Sequence, residues 1–334
     1  MTVRLAIDGF GRIGRALYRS ILDRDLDIAV VAINQAGDTD ALARRVRLDS
    51  VHGRFPGEVV VEGDELRAGH QRSVVLHGED AGHLPWRRIG VDVVVDCTGP
   101  PTSREAAAGH LEAGAARVVV AAPCEGADAT FVVGVNDHTF DPDRHLVVSA
   151  GSPTAGCCTV MAAVLDEAFG LAEGLVTAVQ AYSSEQPLLD DAGGDARLGR
   201  AAALNVVPAA TPVASTTSLV LPAVGDRLDA TALRVPVADG SIGELAAELD
   251  RQAWAEEVNE AFRAAALGRL LGILEYSDEP LVSSDVVGST ASCVFDQSLT
   301  KVRGRLVEVF GWYDNETGFA ARLGELCALV GSHR

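Results

Sequence analysis

The chain has 334 residues, 48% of them hydrophobic and 22% charged, with a formal net charge of −19. That length exceeds one ordinary hydrophobic core and points to two domains. An acidic surface repels phosphate backbones, which argues against nucleic acid as a partner, and no apolar run approaches the roughly 18 residues that read as a membrane span. The N-terminal MTVRLAIDGF enters a strand at Val3 to Asp8 without the layout of a signal peptide, so a cytoplasmic location is expected. A glycine-rich turn follows, then a helix over Ile13 to Leu22 and a strand over Ile28 to Asn34. Strands at Val91 to Cys97 and Arg117 to Ala121 flank a helix over Ser103 to Gly114. Continuous apolar strands between helices predict a parallel, doubly wound α/β sheet.

The second half changes character. Longer alternating stretches at Val176 to Ser183, Ala230 to Val237 and Leu306 to Tyr313 predict an α+β domain with a mostly antiparallel sheet. A helix is predicted among them over Ile242 to Ala266. The six cysteines (97, 124, 157, 158, 293 and 327) form no C-x-x-C pair, so neither a metal site nor a disulfide framework is expected. His138 and His145 precede a strand and read as surface residues.

The stretch AIDGFGRIGR (6–15) places Gly9, Gly11 and Gly14 in a G-x-G-x-x-G spacing between a strand and a helix. That context makes it a dinucleotide site: one glycine for the tight turn, one for close approach of a pyrophosphate, one for helix-on-strand packing. The helix N-terminus adds free N–H groups and a partial positive charge. Such a site commonly has an acid at the end of the second strand to hold the adenosine ribose. Here Gln35 stands there, followed by Asp38 and Asp40, with no Arg beside it. NAD is the expected cofactor, with NADP possible.

Further segments carry a family resemblance: GFGRIGR (9–15), LDSVHGRF (48–55), GRAAALNVVPAAT (199–211), LRVPV (233–237), SSDVVGSTASCVFD (283–296) and GWYDNETGFAARL (311–323). In this order they resemble the glyceraldehyde-3-phosphate dehydrogenases along essentially the whole chain. The resemblance implies a dinucleotide-binding domain of residues 1–149 and 317–334, a catalytic domain of residues 150–316, and a homotetramer. It also implies cofactor roles for Phe10, Arg12 and Ile13 at the glycine turn, Thr98 and Gly99 on the adenine side, and Asn315 at the nicotinamide amide. Gln35 and Ala121 depart from the family pattern, which has an acid and a serine there.

The same resemblance places the family nucleophile, a cysteine, at Pro153 in SAGSPTAGCC (149–158), and the family base, a histidine, at Gln180 in VQAYS (179–183). Proline cannot attack a carbonyl, and a carboxamide cannot take a proton at neutral pH. In enzymes whose nucleophile and base act as a unit, loss of the nucleophile costs on the order of 10⁶ in rate, and further losses add little. No thioester-forming activity is therefore expected. Proline suits a first helical turn, so the turn itself is expected to survive. Cys157, Cys158, Tyr182 and Glu185 are the local stand-ins, with Cys157 and Cys158 read chiefly as core thiols.

Ser152, Thr154, Ser183, Glu185, Thr211 and Arg234 match anion-binding positions of the family, and Arg197 or Arg200 could add a guanidinium. Together they imply a pocket for a small phosphorylated or carboxylated metabolite. Three functions fit: hydride transfer without a covalent intermediate, non-catalytic NAD binding in a sensing or structural role, or a non-redox reaction in the same pocket.

Overall fold

A computed structural model describes residues 2–24, 26–78, 80–99, 102–191 and 195–333. The chain forms two compact units, residues 1–152 with 320–334, and residues 153–319.

The first unit is built on a nine-stranded sheet. Its elements are β1 (Val3–Asp8), α1 (Arg12–Asp23), β2 (Ile28–Asn34), α2 (Thr39–Arg47), β3 (Val59–Glu62), β4 (Glu65–Ala68), β5 (Gln71–Leu76), β6 (Val93–Asp96), α3 (Arg104–Glu112), β7 (Arg117–Val120), β8 (Ala129–Thr130) and β9 (Val147–Ser149). The strand order is β8-β9-β7-β6-β1-β2-β5-β4-β3. Strands β6 (VVVD) and β7 (RVVV) are buried at every residue, as expected for central parallel strands covered on both faces. Helix α1 turns Leu17, Tyr18 and Ile21 onto the sheet. The edge strands β3, β4 and β5 pair antiparallel. The sequence reading did not include them, although Gly63-Asp64 between Glu62 and Glu65 is a strong hairpin signal, with Gly63 at φ 62°.

The second unit holds α4 (Pro153–Phe169), β10 (Leu171–Ala181), β11 (Val207–Ala209), α5 (Val213–Val220), β12 (Leu228–Val235), β13 (Ser241–Leu249), α6 (Ala255–Leu267), β14 (Leu274–Ser277), β15 (Cys293–Asp296), β16 (Lys301–Arg303) and β17 (Leu306–Tyr313). Its eight-stranded sheet runs β11-β12-β10-β13-β17-β15-β14, with β16 on β17. Two of its pairs, β10 with β12 and β14 with β15, are parallel, and the rest are antiparallel. The expected fold class is borne out: a parallel doubly wound sheet, then a mostly antiparallel one.

One predicted element is corrected. The single helix expected over Ile242 to Ala266 is a strand, β13, followed by the shorter helix α6. Ala, Glu and Leu favour helices intrinsically, but burial in SIGELAAEL alternates with period two, which only a strand satisfies. Gly243 makes room for α4 beneath, since a Cβ there would lie 2.8 Å from Cys158 Sγ. Helix α6 starts only after Trp254, whose N–H donates to Glu257 at 2.8 Å.

His145 is corrected as well. It is half-buried, its ring packs edge-on against Phe131, and its Nδ1 accepts the Asp141 N–H at 3.0 Å. The ring serves a small aromatic cluster with Phe140 and is not a surface group. His138 is exposed, as expected.

Candidate active site

In the first unit the glycine turn has the required geometry. Gly9 sits at φ 87°, and a Cβ on it would lie 2.5 Å from the Cys97 carbonyl carbon. A Cβ on Gly14 would lie 2.2 Å from Gly9 O, whereas one on Gly11 meets nothing within 4 Å. So Gly9 and Gly14 are demanded by the fold, and Gly11 faces open space. Helix α1 begins at Arg12 with Gly11 as its cap residue and no side-chain capping bond. Its leading N–H groups are thus suited to an anion, and the turn fits a dinucleotide pyrophosphate.

Around this turn, Phe10 buries its ring edge-on against Tyr18, and its N–H donates to Gln35 Oε1 at 2.7 Å. Only the Phe10 backbone is therefore near the turn surface. Gln35 is half-buried, and with its oxygen engaged, its Nε2 is the group suited to a ribose hydroxyl. Arg12 reaches both oxygens of Asp49 at 3.3 Å. Ile13 packs against the core. Asp38 caps α2 by accepting the Ala41 N–H at 2.9 Å. Thr98 and Gly99 are exposed, and Asp96 pins Thr98 by accepting its N–H and hydroxyl at 3.0 and 2.6 Å. Ala121 is half-buried at the end of β7.

Sequence reasoning did not single out the polar cluster at the C-terminal ends of β1 and β6. Asp8 and Asp96 are register partners there, both more than nine-tenths buried. Asn34 Nδ2 donates to Asp8 Oδ1 at 2.6 Å, and His110 Nε2 lies 3.4 Å from Asp8 Oδ2. Trp86 Nε1 donates to His110 Nδ1 at 3.1 Å, which requires the neutral ring. Burial raises the Asp8 carboxyl above its ordinary range, against the lowering effect of Asn34. Burial lowers His110 below its ordinary 6.5, against the attraction of Asp8. As pH falls through 6.5, the unfolded chain gains a proton that the folded chain refuses, so stability drops. We expect His110→Gln to flatten that loss. Melting temperatures at pH 7.5 and 5.5 check it: the wild type should lose more than the variant.

In the second unit Pro153 opens α4 and is half-buried. Gln180, near the end of β10, is buried and donates from Nε2 to Thr154 Oγ1 at 2.5 Å. Thr154 Oγ1 also bonds Tyr313 Oη at 2.9 Å. Ser241 Oγ donates to Asn315 Oδ1 at 3.1 Å. Asp314 pins the turn carrying Asn315, accepting the N–H groups of Glu316 and Thr317 at 2.7 Å each.

Ser183 is half-buried and donates its N–H to Gln186 Oε1 at 3.4 Å. Gln186 is a residue the sequence reading missed. It is buried, and its Nε2 lacks a hydrogen-bond partner among the described residues. A buried orphan donor of this kind marks a place for a ligand atom or water. Arg234 is half-buried, pairs in register with Gln180, and likewise holds an unpartnered buried Nε, while its Nη1 donates to Ala181 O at 3.3 Å. Thr211 is half-buried just ahead of α5, and Ser152 is half-buried ahead of α4.

Glu185 and Arg197 are exposed, and Arg200 is exposed and paired with Asp190 at 3.0 Å. The Tyr182 side chain is exposed. Cys157 is fully buried, its Sγ directed to Gly311 O at 3.4 Å, and burial pushes its thiol well above the usual range. Cys158 is buried beside it.

The family described as glyceraldehyde 3-phosphate dehydrogenase, NAD binding domain, matches residues 3–104, and its C-terminal domain matches residues 152–315. The chain is 47% identical over 332 residues to glyceraldehyde-3-phosphate dehydrogenase 2 of Streptomyces arenae, covering 99% of each. It is 45% identical over 333 residues to the glyceraldehyde-3-phosphate dehydrogenase of Geobacillus stearothermophilus and 46% over 337 residues to that of Mycobacterium avium, again covering 99% of each chain. With both domains matched and the glycine turn formed, the chain belongs to the glyceraldehyde-3-phosphate dehydrogenase family of oxidoreductases and carries that family's NAD-binding domain.

Proposed function

We propose that this family member moves hydride on a small phosphorylated or carboxylated metabolite without forming a thioester, and does not perform the phosphorylating aldehyde oxidation that its relatives' name denotes. One observation carries the reading. At the position where the resemblance puts the base, Gln180 donates an amide hydrogen into a buried hydroxyl. A carboxamide in that role holds geometry and takes no proton. Pro153, at the nucleophile's position, offers no attacking atom and only starts the helix.

The stand-ins do not restore the lost pair. Cys157 is closed off from any substrate by complete burial, and its raised thiol pKa disfavours the reactive thiolate. Tyr182 and Glu185 are solvent-facing and remain the proton carriers nearest the end of β10. Substrate anions are held by Thr211, Ser183, Arg234 and the orphan amide of Gln186. NAD is the preferred cofactor, with the Gln35 amide on its ribose, and a bound nicotinamide ring would supply the hydride acceptor or donor.

Exposed Leu188, Leu189, Leu204 and Val206 support a homotetramer that covers them. No helix among the described residues is long and apolar enough to cross a membrane, and the proposed location is cytoplasmic. A second reading, non-catalytic NAD binding, is favoured by the lack of any proton-accepting acid or imidazole in the Gln180–Thr154–Tyr313 network.

The test is direct. Denature the purified protein and assay released NAD and NADP, then titrate both into cofactor-free protein. Follow with phosphorylated and carboxylated alcohols and ketones, reading absorbance of the reduced cofactor. Absence of binding overturns the proposal. Binding without turnover of any compound moves the protein to the second reading.

A further inference from the structure

The polar cluster beneath the glycine turn is unbalanced in charge. Asp8 is the last residue of β1 and stands directly before Gly9, which opens the turn. Its register partner Asp96 closes β6, and both side chains are more than nine-tenths buried. Neither carboxylate has a lysine or arginine partner among the described residues. The titratable groups facing Asp8 are Asp96 and Cys97 from the end of β6 and His110 from α3, while β2 contributes the neutral Asn34. Burial pushes the Cys97 thiol well above its usual range, so it stays neutral. The cluster is also tied to the turn: the Gly9 N–H donates to Asn34 O at 3.0 Å, and Asn34 Nδ2 donates to Asp8 Oδ1 at 2.6 Å.

Trp86 Nε1 donates to His110 Nδ1, so the ring proton lies on Nε2, the nitrogen 3.4 Å from Asp8 Oδ2. A second ring proton would sit on Nδ1 and face the Trp86 N–H, donor against donor. The imidazole therefore stays neutral, and two buried carboxylates lie side by side without a cation among the described residues. Asp96 is the better held, because its Oδ1 accepts both the N–H and the hydroxyl of Thr98 at 3.0 and 2.6 Å. Asp8 has the Asn34 bond at 2.6 Å and the looser His110 contact at 3.4 Å. Asp8 is thus where the cluster accepts a proton, since two neighbouring carboxylates favour sharing one.

A dinucleotide brings a doubly charged pyrophosphate to the turn that begins at the next residue. That added negative charge favours the neutral form of Asp8. We propose that Asp8 is a proton-linked part of the cofactor site: it takes up a proton from solvent as the pyrophosphate binds, so dinucleotide affinity rises as pH falls. The proposal rests on the dinucleotide reading of the turn. The proton goes onto a carboxylate oxygen of Asp8, and no bond of the cofactor changes. Burial already raises the Asp8 carboxyl above its ordinary range, which moves the uptake towards neutral pH.

NAD is titrated calorimetrically into cofactor-free protein at pH 6 and pH 8, in pairs of buffers that differ in ionisation enthalpy. The difference in heat counts the protons exchanged. The wild type should show net uptake at pH 6, less at pH 8, and a Kd at least roughly threefold lower at pH 6, as linkage to a fractional proton requires. ADP-ribose keeps the pyrophosphate and should show the same uptake. Asp8→Asn, uncharged and of the same shape, should abolish the uptake and bind NAD with one Kd at both pH values. Asp96→Asn removes the neighbouring charge and should shrink the uptake. If one variant fails to fold by circular dichroism and melting, the other carries the test.

Wild-type protein that binds NAD at pH 6 without net proton uptake overturns the proposal. So does a folded Asp8→Asn protein that still takes up a proton, or a folded Asp96→Asn protein with undiminished uptake. Uptake with NAD but not with ADP-ribose separates the proton from the pyrophosphate and overturns it too. Failure of both ligands to bind removes the dinucleotide reading itself, a result distinct from binding without protons.

Discussion

Given NAD, inorganic phosphate and glyceraldehyde 3-phosphate, the wild-type protein will produce no phosphate-dependent rise in reduced cofactor, and the double variant P153C/Q180H will produce one. Each single variant will stay at background, because a thiol without a base and a base without a thiol are both idle. The size of the effect follows from the chemistry. A nucleophile and base that act together are worth on the order of 10⁶ in rate, and removing either loses nearly all of it. The double variant should recover at least roughly a hundredfold over background, the lower range of a positioned general base. Full recovery is not expected, since Thr154 loses the Gln180 donor. Initial rates of nicotinamide reduction, with and without phosphate, decide the matter. Phosphate-dependent turnover by the wild type would remove the basis for a rebuilt site.

Gly14→Ala should destabilise the protein by roughly 3 kcal/mol and abolish dinucleotide binding. The added methyl would sit 2.2 Å from Gly9 O and 3.2 Å from Ile7 Cγ2. A backbone oxygen cannot rotate away, so α1 must lift off β1 and distort the turn that it shares with the ligand. Gly11→Ala is the matched comparison. Its methyl meets nothing within 4 Å, so the melting temperature should stay near wild type. Binding should still weaken, because the methyl enters the open space that a pyrophosphate would occupy. Melting curves with NAD titrations of both variants separate the fold's need for glycine from the ligand's.

Much of this architecture was legible from hydrophobic runs and glycines. Central strands such as VVVD and RVVV announce themselves because both faces are buried, and G-x-G-x-x-G is tied to one geometry. The β13 segment was misread because SIGELAAEL is rich in residues that favour helices locally, while its alternating burial is imposed by neighbouring strands far away in sequence.

The family positions Pro153 and Gln180 were readable by register. What Gln180 bonds was not, because its acceptor Thr154 lies on another element and itself meets Tyr313, 159 residues further along. Separation along the chain also hid the Asp8, Asp96 and His110 cluster, whose members look like unrelated residues until the fold brings them together. Gln186 carried only a faint signal, a polar residue just past a strand.

The helix Thr317–Ser332 contributes Ala320, Leu323, Leu326, Cys327 and Val330 to the core of the first unit. Its backbone fits closely there, since a Cβ on Gly331 would lie 2.4 Å from a Val3 methyl. A chain emerging from the ribosome must therefore carry its cofactor-binding half with an open hydrophobic seam until residues 320 to 330 are made. Synthesis order and folding order are uncoupled in this half. Loss of residues 320 to 330 strikes the oldest part of the nascent chain, and a fragment ending at residue 152 lacks one wall of its own core.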